Sequence, residues 1–380
     1  MPRLQNYPLP ICPDPVNSPT SKYSTFTMIR KVISLSLILL AASHILAVTT
    51  WLQAGVCKFK ECCHSNDGTG YILYEKGCDN LLDDLKTKVY GQPLIVKPIY
   101  KSLKGHMTND KPVRPLVMYF SGWTGTGKTY VARLIAQNLF KEGMNSKFVK
   151  YISSSYHFPM KIEGDVAIAE QRERLRNMIR ETVKNCERSL IIMDELDKLP
   201  AGVVDALQPL LDYVEDIDGQ RYNKAIFIFL SNTGAQRLNK LSYKMFQEGK
   251  ERKDLSSKDI EEILIEESYE EEGGLRHSNL LKRYSIGVFV PFLPLERLHV
   301  KLCIQSEIEN SHVIPDNLEQ LVEEIADEVA YFPPETEIYS KSGCKGIHDK
   351  VINHIGPPIH LNLESMKRSE DKLINMKQEL

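Results

Sequence analysis

Apolar positions in this chain fall into two patterns. Three short runs, Leu116-Val117-Met118-Tyr119-Phe120, Leu190-Ile191-Ile192-Met193 and Ala225-Ile226-Phe227-Ile228-Phe229-Leu230, are apolar at every position. With no alternation, both faces of each strand must be covered, which is the signature of a parallel sheet sandwiched between helices. Behind the first run, Val131, Leu134, Ile135 and Leu139 recur at helical spacing. Each apolar run also ends in polar residues: a glycine-rich loop, Asp194-Glu195, and Ser231-Asn232. Ligands of open α/β sheets bind in the crevice at the carboxyl ends of the strands, so these polar ends mark the site. The pattern predicts a doubly wound parallel-sheet α/β fold.

The first polar end carries the most specific chemistry. Gly122-Trp123-Thr124-Gly125-Thr126-Gly127-Lys128-Thr129 places two glycines five positions apart before Lys and Thr, the spacing of a phosphate-binding loop. Composition alone would produce on the order of 0.01 such matches in a chain of this size. Glycines allow successive backbone N–H groups to turn inward on polyphosphate. Lys128 is expected at the β- and γ-phosphates of ATP, and the Thr129 hydroxyl on Mg²⁺. Asp194 is expected in the Mg²⁺ shell and Glu195 beside an attacking water, which it orients and deprotonates. Asn232 is placed to contact that water or the γ-phosphate, although Ser-Asn is also ordinary turn chemistry.

Composition and charge narrow the partners. With 48 Lys and Arg against 50 Asp and Glu, the chain carries no global basic field, and nucleic acid is not expected. A hydrophobic content of 42% in 380 residues supports a large core. Charge-dense stretches at 247–259 and 261–272 read as solvated helix faces or a loop.

The two ends carry targeting signals. Arg30-Lys31 precede an apolar run from Val32 to Val48, the build of a secretory signal, with an uncleaved anchor as the alternative. Translation from Met1 and from Met28 both remain open. The chain ends Lys377-Gln378-Glu379-Leu380, one residue away from the Lys-Asp-Glu-Leu retrieval address. Together they predict the lumen of the endoplasmic reticulum. The eight cysteines are compatible with that oxidising compartment. Of these, Cys57, Cys62 and Cys63 cluster after the apolar run, where disulfides and a zinc site are rival readings.

With loop, acidic strand and strand-end Asn in place, the chain resembles the torsins, AAA+ ATPases related to the Hsp100/Clp group, from about Cys57 to Ile352. The resemblance rests on Trp123 within the phosphate loop, His157-Phe158-Pro159, Leu211-Asp212-Tyr213, Asp218-Gly219, the Val290-Pro291-Phe292-Leu293-Pro294-Leu295 segment, and Gly343-Cys344-Lys345. Val89-Tyr90-Gly91-Gln92 is similar to the Gly-Gln element placed near adenine in Hsp100-type ATPases. The resemblance implies a leader at 1–55 (signal or anchor at about 28–48), a nucleotide-binding large domain at 56–294, and a small, mainly helical domain at 295–355. A polar tail follows at 356–380. It further implies that Lys345 acts as the second nucleotide sensor and that Cys303 is the redox partner of Cys344; Cys57 with Cys186 is a second candidate pair, and disulfide connectivity stays open.

Function follows the same resemblance: chaperone-like remodelling of proteins or membranes of the endoplasmic reticulum and nuclear envelope, by a homo-oligomer with peripheral or anchored membrane association. Turnover is expected to be slow until a luminal activator of the lamina-associated-polypeptide type supplies an arginine. Arg283 acting as a finger within a homo-oligomer is the competing expectation. A nucleotide-gated assembly protein, in which hydrolysis is incidental, is the second functional class. No aromatic-Gly pore loop stands near Tyr151 to Pro159, which keeps that class open. Three features depart from the family: Thr129 stands where several torsins carry Asn, the proline-rich stretch before Met28 has no counterpart, and the tail from Pro357 to Leu380 runs past where the family domain stops.

Overall fold

A computed structural model describes Glu61 and residues 75–158, 164–213, 216–270, 274–282 and 285–355. The 28–48 segment, Cys57, Cys62, Cys63, Arg283 and the 356–380 tail lie outside the described residues. Helices α1 (Glu75–Thr87) and α2 (Pro93–Thr108) precede β1 (Leu116–Gly122). Helix α3 (Lys128–Leu139) then leads to β2 (Val149–Ser153), and α4 (Asp165–Asn185) to β3 (Leu190–Asp194). Strand β4 (Ile226–Ser231) is followed by α5 (Ala235–Gln247) and α6 (Ser257–Glu270). After β5 (Val288–Phe292) come α7 (Arg297–Asn310), α8 (Leu318–Asp327), a short antiparallel ribbon of Tyr331–Phe332 with Tyr339–Ser340, and α9 (Ile347–Ile355).

The five strands form one parallel sheet in the order β2-β3-β4-β1-β5. Alternate residues of each apolar run go to opposite faces, and both faces are covered. Met118, Phe120, Ile192, Ile228 and Leu230 pack under α1, α2 and α3. Val117, Tyr119, Ile191, Met193, Phe227 and Phe229 pack against Leu175, Ile179 and Val183 of α4. Full burial of a large apolar side chain contributes ~1.5–3 kcal/mol, so these two layers hold the strands in register while their polar ends stay free to serve the site. Register brings Ser121 level with Ser231, Gly122 with Phe292, and Ser153 with Asp194.

The three predicted strands are the inner ones, β1, β3 and β4. The two strands that periodicity did not reveal, β2 and β5, are the edges of the sheet. Strand β2 mixes Lys150, Tyr151 and Ser153 with apolar residues, and β5 contains Pro291. Proline has no N–H for an inner ladder but is tolerated at an edge. Both departures follow from having a neighbour on one side only.

The acidic 257–270 segment is helix α6, with Ile260 and Leu264 buried and carboxylates outward. Beyond the sheet, α7, α8 and α9 build a core of their own from Val300, Ile304, Ile308, Val322, Ile325, Ile347 and Val351. Asn317 caps α8, its Oδ1 accepting the Gln320 N–H at 3.1 Å. Among the described residues no helix is long and apolar enough to cross a membrane.

Candidate functional site

The glycine-rich loop leaves the C-terminal end of β1 and closes onto the first turn of α3. Gly125 and Gly127 take φ of +73° and +106°, a region open to glycine at little cost. Gly125 has a second reason to lack a side chain: a Cβ there would lie 1.7 Å from the Ser342 carbonyl oxygen.

Lys128, at the start of α3, is 8% exposed. Its ammonium donates to Gly122 O at 2.6 Å, Trp123 O at 2.8 Å and Asn232 Oδ1 at 3.0 Å, so all three protons are used. Burial pulls this amine down to about 8, against the pull of Asp194 and Asp197, which favour the charged form. Asn232 is itself oriented by Asp197, which accepts its backbone N–H at 3.0 Å and its Nδ2 at 3.4 Å. That leaves the Asn232 oxygen for Lys128.

The two carboxylates at the end of β3 are held differently. Asp194 Oδ2 accepts from Thr129 Oγ1 at 3.1 Å and from the Tyr151 hydroxyl at 2.6 Å, while Oδ1 accepts the Glu195 N–H at 2.8 Å. Glu195 sits at φ +57°, a left-handed conformation that costs a non-glycine residue ~1–3 kcal/mol and clusters at functional sites. Its carboxylate accepts from Ser153 Oγ at 3.0 Å, from Ser155 Oγ, and from Lys198 in an ion pair. Burial works to raise the Glu195 carboxyl, but the hydrogen bonds from Lys198, Ser155 and Ser153 outweigh it and hold the group at about 2.

Loop, carboxylates and C-terminal helices enclose a cavity of about 670 Å³, within the range of small-ligand sites. One end is polar, lined by residues 124–129, Asp194, Glu195 and Asn232. Val89, Tyr90, Tyr130, Leu295 and Ile347 also line the cavity and offer apolar surface suited to a flat base. Lys345 lines the cavity from the turn that follows Ser342. This turn is tied to the loop: the Cys344 N–H donates to Gly125 O at 3.0 Å and Trp123 Nε1 to Lys341 O at 2.7 Å. A Cys303–Cys344 disulfide joins the same turn to α7. Cys186 is also disulfide-bonded, and Cys57, its candidate partner, lies outside the described residues. Gln92 spans loop and hinge, its Nε2 donating to Thr126 O at 3.2 Å and Leu293 O at 2.9 Å and its Oε1 accepting Leu293 N–H at 2.9 Å.

The structure thus brings Gly122 to Thr129, Asp194, Glu195 and Asn232 together at the strand ends, with Lys345 lining the same cavity. Thr129 and Asp194 offer hard oxygen donors, the ligand chemistry of Mg²⁺. Sequence reasoning missed Tyr151, Ser153 and Ser155, which lie on an unrecognised edge strand and the turn after it. It also missed Asp197 and Lys198, for which the only available signal was their nearness in sequence to Glu195.

A buried lysine in a glycine-rich loop between the ends of parallel strands, with two carboxylates beside it, defines a nucleotide-using P-loop ATPase of the AAA+ class. The torsin family model matches residues 57–193, and the model of the Torsin-1A C-terminal domain matches residues 295–352. A torsin-like protein of Caenorhabditis elegans is 37% identical over 298 residues, covering 78% of this chain and 80% of the relative. Torsin-3A of Mus musculus is 32% identical over 302 residues, covering 79% and 76%. The chain belongs to the torsin family. Among solved structures, the S. cerevisiae Hsp104-ADP complex superposes with a TM-score of 0.53 over 76% of this chain at 14% identity. The S. cerevisiae Hsp104:casein complex does so with a TM-score of 0.52 over 77% at 16% identity. This chain spans about half of those Hsp104 chains (47% and 48%), and the likeness carries the fold alone.

Two substitutions separate binding from turnover. Lys128→Ala should abolish ATP binding, because it removes the charge that meets the phosphates. Glu195→Gln should bind ATP with near wild-type affinity yet fail to turn it over. Equilibrium binding of a fluorescent ATP analogue and phosphate release check both; wild-type turnover in Glu195→Gln rules out Glu195 as the water-activating group.

Proposed function

We propose that this ATPase hydrolyses ATP in the lumen of the endoplasmic reticulum and nuclear envelope, remodelling proteins or membranes there, and that it depends on a membrane-anchored partner for an arginine. The observation that supports an arginine from outside this chain, whether from a partner or a second copy, is the composition of the cavity wall. Lysines 88, 128 and 345 line it, but among the described residues no arginine does. Phosphoryl transfer spreads charge over the γ-phosphate, and an arginine supplied from outside is worth roughly 10³–10⁵ in rate.

Each chain-borne part has a role in this reading. Loop N–H groups and Lys128 bind the phosphates, with Lys345 approaching from the C-terminal turn. Thr129 and Asp194 would hold Mg²⁺, which when bound would supply charge neutralisation at the phosphates. Glu195 orients the attacking water, with Asn232 beside it. In the described arrangement, however, the Glu195 carboxylate is committed to Ser153, Ser155 and Lys198. These three donors leave one acceptor site, on the Oε1 side, for a water. A second reading, in which ATP sets a conformation and turnover is incidental, needs no water at that site.

Turnover across a protein concentration series, with and without the luminal domain of a lamina-associated-polypeptide-type activator, separates these possibilities. The proposal expects slow hydrolysis at every concentration and acceleration of at least ~10³-fold on adding the activator. Robust activity that rises with concentration and is lost in Arg283→Ala contradicts the borrowed arginine. Inactivity even with the activator favours the conformational reading.

Luminal residence has its own test. It rests on the apolar run after Arg30-Lys31 and the retrieval-like Lys377-Gln378-Glu379-Leu380. A redox-sensitive reporter fused to the C-terminus should read an oxidising compartment; a cytosolic redox state contradicts the placement.

A further inference from the structure

Edge strand β2 delivers a hydroxyl to each carboxylate at the end of β3. Tyr151 and Ser153 are two apart on the strand and therefore share a face. Tyr151 reaches Asp194, and Ser153 reaches Glu195. The two bonds divide the pair: one carboxylate is held toward Thr129, the other toward the serines and Lys198.

Asp194 is the last residue of its strand, so its side chain is not wedged between neighbours on both sides. Its contact with Thr129, at 3.1 Å, is long for a hydroxyl–carboxylate bond. The Tyr151 bond, at 2.6 Å, falls within the range of the strong charge-assisted ones. A phenol is a donor at neutral pH. The ring is anchored by packing against the core beneath α1, α2 and α3. A rigid, protonated donor is therefore fixed on the same oxygen that Thr129 contacts.

We propose that Tyr151 is a positioning residue for Mg²⁺: by holding Asp194 Oδ2 toward Thr129, its hydroxyl sets the affinity of the site for the metal that accompanies the nucleotide. This rests on reading the cavity as a Mg²⁺–ATP site. Tyr151 lines the same cavity, and its hydroxyl acts through Asp194. Loss of an outer-shell hydrogen bond to a metal-binding carboxylate characteristically weakens metal affinity ~10–100-fold.

The test is Tyr151→Phe, which keeps the ring and removes only the hydroxyl. Affinity for a fluorescent ATP analogue is measured in EDTA and along a Mg²⁺ titration, with thermal unfolding followed in parallel. The proposal expects unchanged affinity in EDTA, an unchanged unfolding temperature, and a Mg²⁺ midpoint raised at least ~10-fold. Tyr151→Leu, which also lacks the hydroxyl, should raise the midpoint in the same direction. Ser153→Ala, which removes a hydroxyl from Glu195 instead, should leave it in place. A Mg²⁺-dependent wild type with an unshifted or lowered midpoint in Tyr151→Phe overturns the role of Tyr151 alone. Nucleotide binding that ignores Mg²⁺ in wild type and variants alike overturns the Mg²⁺–ATP reading and this proposal together.

Discussion

The buried ammonium of Lys128 is the interaction on which the site depends. Taking a charge out of water is costly unless it is fully hydrogen-bonded. Here the three partners come from separate pieces of chain: the end of β1 (Gly122), the loop (Trp123) and the residue after β4 (Asn232). None of the three could serve if the sheet were out of register, since Ser121 and Ser231 pair immediately before them. Asp197 then fixes the Asn232 amide so that its oxygen, not its nitrogen, faces the lysine. The apolar layers above and below the sheet thus act on function through one cation, by placing the oxygens that make its burial tolerable.

That cation also explains the division of the rest of the cavity. Asp194 and Glu195 are adjacent in sequence, yet hydroxyls hold the first toward Thr129 while an ion pair with Lys198 draws the second aside. The turn at 342–345 meets the loop backbone to backbone, and Gly125 and Gly343 leave no room for side chains between them. Trp123 donates to Lys341 O, and Gln92 bonds both Thr126 and Leu293. The loop that meets phosphate is therefore mechanically joined to the C-terminal helices. Occupancy at one end of the cavity has a short path to the position of α7 and α9.

Legibility in the sequence followed burial. The inner strands β1, β3 and β4 were readable because burial on both faces demands unbroken apolar runs, and each pointed to its polar end. Lys128, Asp194, Glu195 and Asn232 were found this way. Edge strands β2 and β5 carry no such signature: one tolerates Lys150 and Tyr151, the other Pro291. Missing β2 meant missing Tyr151 and Ser153, whose importance lies in a neighbouring strand and not in their own motif. The disulfide between Cys303 and Cys344 was expected through family resemblance, since no spacing rule joins two cysteines so far apart in sequence.

The central claim, that a buried and depressed Lys128 meets the nucleotide, is tested most directly by counting protons taken up on ATP binding. In the free protein the amine is held at about 8 by burial. Polyphosphate must raise it, so affinity is complete below pH 8 and falls as pH climbs through that value. Calorimetric titration of ATP into the wild-type protein, in buffers of different ionisation enthalpy, reads the proton count. Proton uptake by the amine is expected on ATP binding around pH 8 and above, rising with pH. An uptake of zero at pH 8 and above, with ATP bound, would contradict it.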